Sequence, residues 1–407
     1  MFEPIAITGA GCISGFGVGR DALLTALRAG RTAIGPAEFD TSALRSHTSG
    51  HVNGYDPTAF IAPAKLRRID RIGRLAVSCC RLALDDAGLA AGSAVPAGEI
   101  AIALGSQTAG VHTLIDYLDR LLAQGAPGAS ALDFSNTVGN AAASLCAIEL
   151  GLRGANVTLN SKEASGLAAI AFAASLLQSG AARAVVSGGV DDVEATFFTA
   201  HESFRALAFD EGSGEVSRPF DRRRNGFVLG AGGFLAVFET RDSARARGAS
   251  VLGELCAVGA ASAPCRLNEW PEDPAPLARC MREALGQAGV EPGDVAVVFA
   301  SANSTQALDR VEAAALADVF GPRAVPVTSL KGALGESGSS GGAGLLAALD
   351  CLTGGVVPPT LRCDDLDPDC PVDVSHRARR LEDPPRRVAL INSFASGGTM
   401  YSAVVRA

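Results

Sequence analysis

A chain of 407 residues exceeds what one hydrophobic core fills, so two core units are expected, and 48% hydrophobic residues with 47 glycines exclude disorder. A formal net charge of -8, with only 19% charged residues and no dense Lys/Arg run, excludes a nucleic-acid-binding surface. No apolar segment is long enough to span a bilayer, and the first residues carry neither a basic region nor an apolar leader, so a cytoplasmic chain is expected.

In chain order, short apolar runs fall at 5–8, 100–104, 157–159, 184–186, 234–238, 295–299, 325–328, 388–391 and 402–405, and each reads as a buried strand. Helical periodicity is carried between them by 21–29, 71–87, 166–178, 276–288, 307–319 and 341–352. The alternation predicts an α/β fold with helices covering both sheet faces. Pro264, Pro271, Pro274 and Pro276 crowd the segment 260–276, which reads as the passage between halves, with the division set at 1–255 and 256–407. The stretch 362–387, rich in Asp, Pro and Arg, reads as a surface excursion, and Arg222, Arg223 and Arg224 as a local loop feature.

Residues 156–180 run strand (NVTLN), polar turn (SKEASG), Ala/Leu helix; residues 324–354 run strand (AVPVTS), Gly-rich polar turn (LKGALGESGSSGG), Ala/Leu helix. An internal duplication predicts this, with the two turns meeting near the helix N-termini. Any α/β chain repeats strand, turn and helix as well, and the pattern alone leaves both readings open.

The ten cysteines are scattered; Cys12, Cys79, Cys80, Cys146 and Cys351 read as reduced core thiols. No His, Cys or carboxylate cluster has metal-ligand spacing, and no metal or cofactor is expected. The glycines after Ile7 (ITGAGCISGFGVG) invite a dinucleotide-binding reading, which fails because the G-x-G-x-x-G register and the closing acid are missing.

That opening, together with SRPFDRRRNGFVLGAGGFLAVFE (217–239) and INSFASGGTMYSAVV (391–405), resembles the β-ketoacyl-carrier-protein synthases, and the similarity spans almost the whole chain. The resemblance implies a thiolase fold: duplicated halves giving a five-layered α-β-α-β-α arrangement. In that family a cysteine at a strand-to-helix turn carries an acyl chain as a thioester, and two histidines assist malonyl decarboxylation and condensation. A thiolate is a good nucleophile and leaving group, a helix N-terminus lowers its pKa, and imidazole donors stabilise the enolate.

Carried over residue by residue, the family's nucleophile falls on Glu163, within NSKEASG. The first histidine falls on Ser301, within FASANSTQALDRVEA, and the second on Glu336, while Lys331 of the Lys-x-x-x-Gly-His motif is retained. The family's Gly-Phe-Gly-Gly loop reads Ala395-Ser396-Gly397-Gly398, without the aromatic gate. The histidines, His47, His51, His112, His201 and His376, lie outside these motifs. No catalytic residue is therefore assigned.

Loss of the chemistry with retention of the scaffold is similar to the chain-length-factor subunits of type II polyketide synthases. That resemblance implies a heterodimer with an active ketosynthase, paired through the strand at 157–159, with the acyl carrier protein reached through the complex. Chain length would be set sterically by AGVHTLIDYLDRLL, where Val111, Leu114 and Leu118 share a helical face at i, i+3, i+7, and by Phe134. The same spacing also describes an ordinary core stripe. Those subunits usually carry glutamine where this chain has Glu163; an anion is ill suited to stabilising an enolate, so priming is not expected and a reduced polyene or aryl-polyene product is. Two alternatives stand: an independent acyltransferase or malonyl decarboxylase using Glu163 with Lys331, and an acyl-binding homodimer.

Overall fold

The structure, a computed structural model, describes residues 2–90, 94–381 and 388–407. Met1, part of the N-terminal reading, and residues 382–387 of the polar stretch lie outside the described residues.

Ten principal strands divide into two equivalent sets. The first comprises β1 (Ile5–Ser14), β2 (Ile100–Gly105), β3 (Asn156–Leu159), β4 (Ala184–Asp191) and β5 (Gly232–Thr240), ordered β3-β2-β4-β5-β1. The second comprises β6 (Gly253–Ser262), β7 (Val295–Phe299), β8 (Pro326–Thr328), β9 (Val388–Phe394) and β10 (Thr399–Arg406), ordered β8-β7-β9-β10-β6. In the first set β3-β2-β4 is parallel and β4-β5-β1 antiparallel. The second repeats this with every strand number raised by five. The same order and the same switch of direction in each half establish the duplication. The halves join where β1 pairs β6, Ile5 opposite Leu255 and Ile7 opposite Gly253.

The principal helices are α1 (Arg20–Arg28), α2 (Arg71–Asp86), α3 (Val111–Gln124), α4 (Ala131–Phe134), α5 (Ala141–Leu150), α6 (Ser165–Gln178), α7 (Ala195–Ser203), α8 (Ala275–Ala288), α9 (Gln306–Phe320), α10 (Lys331–Leu334) and α11 (Ser340–Gly354). Helix α2, opened by an Asp70 cap on the Gly73 amide at 2.9 Å, packs with α5 outside the first sheet, and α8 with α9 outside the second. Helices α6 and α11 are buried nearly all round and form the middle layer of five. Leu167 and Ile170 of α6 are fully buried, each contributing about 1.5–3 kcal/mol.

Three expectations are corrected. The first strand, read as 5–8, does not stop there: β1 runs on to Ser14, because its glycines admit α2 at backbone contact. A Cβ on Gly11 would sit 2.2 Å from the Cys79 carbonyl. The proline-rich segment is not the passage between halves; it links β6 to α8 inside the second half, and the chain crosses earlier, between Thr240 and Gly253. Strand β6 escaped notice because polar Glu254 and Ser262 and its glycines break up the apolar run. The basic cluster is more than a loop feature. Arg224 is buried, donating to Asp367 at 2.5 Å and lying 3.6 Å from Asp309, so it ties the 362–370 excursion to the start of α9.

Candidate functional site

Strand β3 ends at Leu159, and the chain turns through Lys162, whose φ of 51° lies in the left-handed region, into α6. Ser165 fixes this turn: its Oγ accepts from the Ser161 amide at 2.9 Å and donates to the Lys162 carbonyl at 2.6 Å. Gly105 of β2 lets the turn close, since a Cβ there would meet the Ser165 carbonyl at 2.1 Å. Glu163 consequently points inward and is only 4% exposed. Its carboxylate accepts from the Ser396 amide and the Ser396 hydroxyl, each at 3.1 Å. Burial pushes the Glu163 pKa up, opposed by these donors and by Lys162.

The second half brings its own turn to the same place. The Gly166 amide at the start of α6 donates to the Gly338 carbonyl at 2.7 Å, and Ser393 Oγ donates to the Glu163 carbonyl at 3.2 Å. The two strand-to-helix turns thus meet, as duplicated halves require.

Ser301, beyond the end of β7, is fully buried and structural: its amide donates to Glu312 at 2.9 Å and its Oγ accepts from the Phe394 amide at 2.9 Å. Lys331, at the start of α10, donates to Glu336 Oε2 and to the Ser301 carbonyl, both at 2.7 Å. Asn303 donates to the same Glu336 oxygen at 2.8 Å, and the Ser337 amide to the other at 3.1 Å. Burial raises the Glu336 pKa, Lys331 lowers it, and Glu163 raises it, so the two acids repel one another across the site. Burial also pushes Glu312 up to about 7, and its Oε2 has no hydrogen-bond partner among the described residues.

Chemically this is a closed network. No thiol or imidazole stands at positions 163, 301 or 336. Lys331 is committed to Glu336 rather than to Glu163, which removes the pairing that an independent enzyme would use. A cavity of about 20 Å³ beside Lys331, lined in part by Asn392 and Ser393, has room for roughly one water. The histidines serve elsewhere. His51 is buried against Ser49 at 2.6 Å, His201 bonds the Phe197 carbonyl at 2.8 Å, and burial lowers the pKa of both. His112 lies on the surface 3.6 Å from Asp116. Burial pushes Cys12 up to about 12 and Cys79 higher than a free thiol, which leaves them poor nucleophiles. Among the described residues no group of three or more His, Cys, Asp or Glu could hold a metal, and no helix is long and apolar enough to cross a membrane.

Val111, Leu114 and Leu118 do share a face of α3, but it is not a core stripe: Leu114 is 39% and Leu118 42% exposed. Phe134 is 59% exposed, its ring 5.9 Å from that of Tyr117. Sequence reasoning missed Asn303, Glu312 and Asn392, and took Ser396 for a lost aromatic rather than the partner of Glu163. A signal was present: Asp309 and Glu312 follow Ser301 inside the segment already aligned, and both are buried acids bound to its backbone.

Comparison with known proteins gives one answer at family level. The description "Beta-ketoacyl synthase, N-terminal domain" matches residues 2–244, and "Beta-ketoacyl synthase, C-terminal domain" matches 252–364. The 3-oxoacyl-[acyl-carrier-protein] synthase 2 of Synechocystis is 32% identical over 97% of this chain and 96% of that protein. The tetracenomycin polyketide synthase ketoacyl synthase alpha subunit of Streptomyces glaucescens is also 32% identical, over 100% and 97%. The solved structure described as the ishigamide ketosynthase/chain length factor superposes with a TM-score of 0.90 at 28% identity, covering 100% of this chain and 99% of the other. A β-ketoacyl synthase from Burkholderia phymatum gives 0.91 at 27%, covering 99% of each.

Proposed function

The chain belongs to the β-ketoacyl synthase family, and from that premise we propose that it is a non-elongating chain-length-factor subunit, which pairs with an active ketosynthase and shapes the tunnel receiving the growing polyketide. The observation that carries the reading is Glu163. A carboxylate stands, buried and hydrogen-bonded, at the residue onto which the family resemblance carries the nucleophile, and the same resemblance carries the two imidazoles onto Ser301 and Glu336.

Two surface features support a partner. Helix α3 and the segment after it leave Leu114, Leu118, Leu122, Leu132 and Phe134 exposed, a group of large apolar side chains of the kind that protein interfaces cover. Among the described residues strand β3 ends the hydrogen-bonded ladder with pairing on one side only, from β2, which leaves its outer edge for a second chain across a pseudo-two-fold axis. The ishigamide ketosynthase/chain length factor, similar over the full length, is a relative described in those terms. In the proposed pair Val111, Leu114, Leu118 and Phe134 line the tunnel, and the acyl carrier protein docks on the complex.

The product proposed is a reduced polyene or aryl-polyene chain, since Glu163 is ill suited to decarboxylative priming. Co-expression with a cognate ketosynthase, size-exclusion chromatography and mass spectrometry of the product test both parts. A 1:1 complex releasing reduced chains supports the proposal. Turnover by this chain alone overturns the assignment, a persistent homodimer overturns the pairing, and aromatic octaketides overturn the product class.

A further inference from the structure

Lys162 is the residue before Glu163, and its left-handed φ of 51° is one that non-glycine residues seldom adopt. Its ammonium reaches two segments of the other half. It donates to the Leu267 carbonyl and, at 3.1 Å, to Asn268 Oδ1, both in the connection between β6 and α8. It also donates to Ser396 Oγ at 3.2 Å, in the turn between β9 and β10, and that hydroxyl donates onward to Glu163. The connection and the turn are latched together by backbone bonds, Gly397 amide to Glu269 carbonyl and Ala263 amide to Gly398 carbonyl, each at 2.9 Å. Ala263 and Trp270 pack on the second core at the two ends of the connection, but little apolar burial holds the stretch between them. Leu267 is 72% exposed, and Cys265 is the least buried of the cysteines.

The middle of the connection is therefore held near Glu163 by polar contacts, and Lys162 makes two of them while its third bond ties it to Ser396 in the facing turn. We propose that Lys162 is a bolt. It keeps residues 263–270 closed over the Glu163 turn, so that the turn is shut to a carbonyl-bearing ligand the size of an acyl thioester as well as lacking a nucleophile to receive one. The shielding of Glu163 is then a property of this chain by itself and does not depend on any partner.

The test uses the full chain with Glu163→Cys as a reporter thiol, alkylated by iodoacetamide and followed by peptide mass spectrometry, which separates position 163 from the native cysteines. Adding Lys162→Met is expected to raise the alkylation rate at 163 at least tenfold, with Lys162→Arg close to the Lys162 parent. Loss of a nearby cation by itself would raise the thiol pKa and slow alkylation, so faster reaction reports access and not electrostatics. Equal or slower reaction in the Met variant overturns the proposal. Should Glu163→Cys fail to fold, hydrogen exchange at the Gly397 amide compares the native chain with Lys162→Met. Exchange about tenfold faster in the variant supports the bolt, and unchanged exchange overturns it.

Discussion

Lys331 Nζ lies 2.7 Å from Glu336 Oε2, so a buried lysine is ion-paired with an acid five residues further along the chain. Both side chains are buried, 6% and 1% exposed. Removing one partner from such a pair leaves an uncompensated charge in a low-dielectric interior. Glu336→Ala should therefore destabilise the chain by about 3–5 kcal/mol, and Glu336→Gln, which keeps an acceptor for Asn303, should lose less. Urea unfolding checks this: the midpoint falls while the slope stays unchanged.

Glu312 carries a pH signature. Burial raises its pKa from the ordinary glutamate value of 4.5 to about 7, so between those values the folded chain binds a proton that the unfolded chain has released. Stability at this residue is therefore full below pH 4.5 and declines as pH rises toward 7, by an amount on the order of 3 kcal/mol. Glu312→Gln removes the effect. Relative to the native chain, the variant should gain stability across pH 4.5–7 and stay level above it, as measured by unfolding at a series of pH values.

Gly105 positions the turn that buries Glu163. Gly105→Ala should cost about 3 kcal/mol, the upper end for overpacking, because the added methyl meets Ser165 backbone rather than a movable side chain. Gly98→Ala, at a site with nothing within 4 Å of the added methyl, is the matched control and should change thermal stability little.

Much of this architecture was legible in the sequence because buried strands leave short apolar runs, as 184–186 does, and buried helices longer ones, as 341–352 does. The first strand was cut short because Gly9 and Gly11 look like a loop until α2 is packed on them. Positions 163, 301 and 336 were singled out by resemblance to family motifs, which point to residues but not to their partners. That Ser396 bonds Glu163, and that Asn303 joins Lys331 on one oxygen of Glu336, follows from contacts between segments separated in the chain. Likewise the spacing of Val111, Leu114 and Leu118 gives a helical face, but only the packing reveals that the face is left uncovered.

That uncovered face makes a prediction separable from stability. Leu118→Asp lies on the surface of the isolated chain, so it should alter unfolding by no more than about 0.5 kcal/mol. It should nonetheless abolish co-elution with the ketosynthase partner. Leu114→Trp should preserve the complex and shorten the released chain, as read by mass spectrometry. A folded Leu118→Asp variant that still co-elutes would argue against α3 as the interface.

The central claim is that this chain shapes an acyl group without carrying one. Its most direct test is reconstitution of the pair with carrier protein and malonyl donor, followed by intact mass spectrometry of each subunit during turnover. Acyl adducts are expected on the partner ketosynthase alone, with no elongation when that partner is omitted. An acyl adduct on this chain, with extension proceeding in the partner's absence, would contradict it.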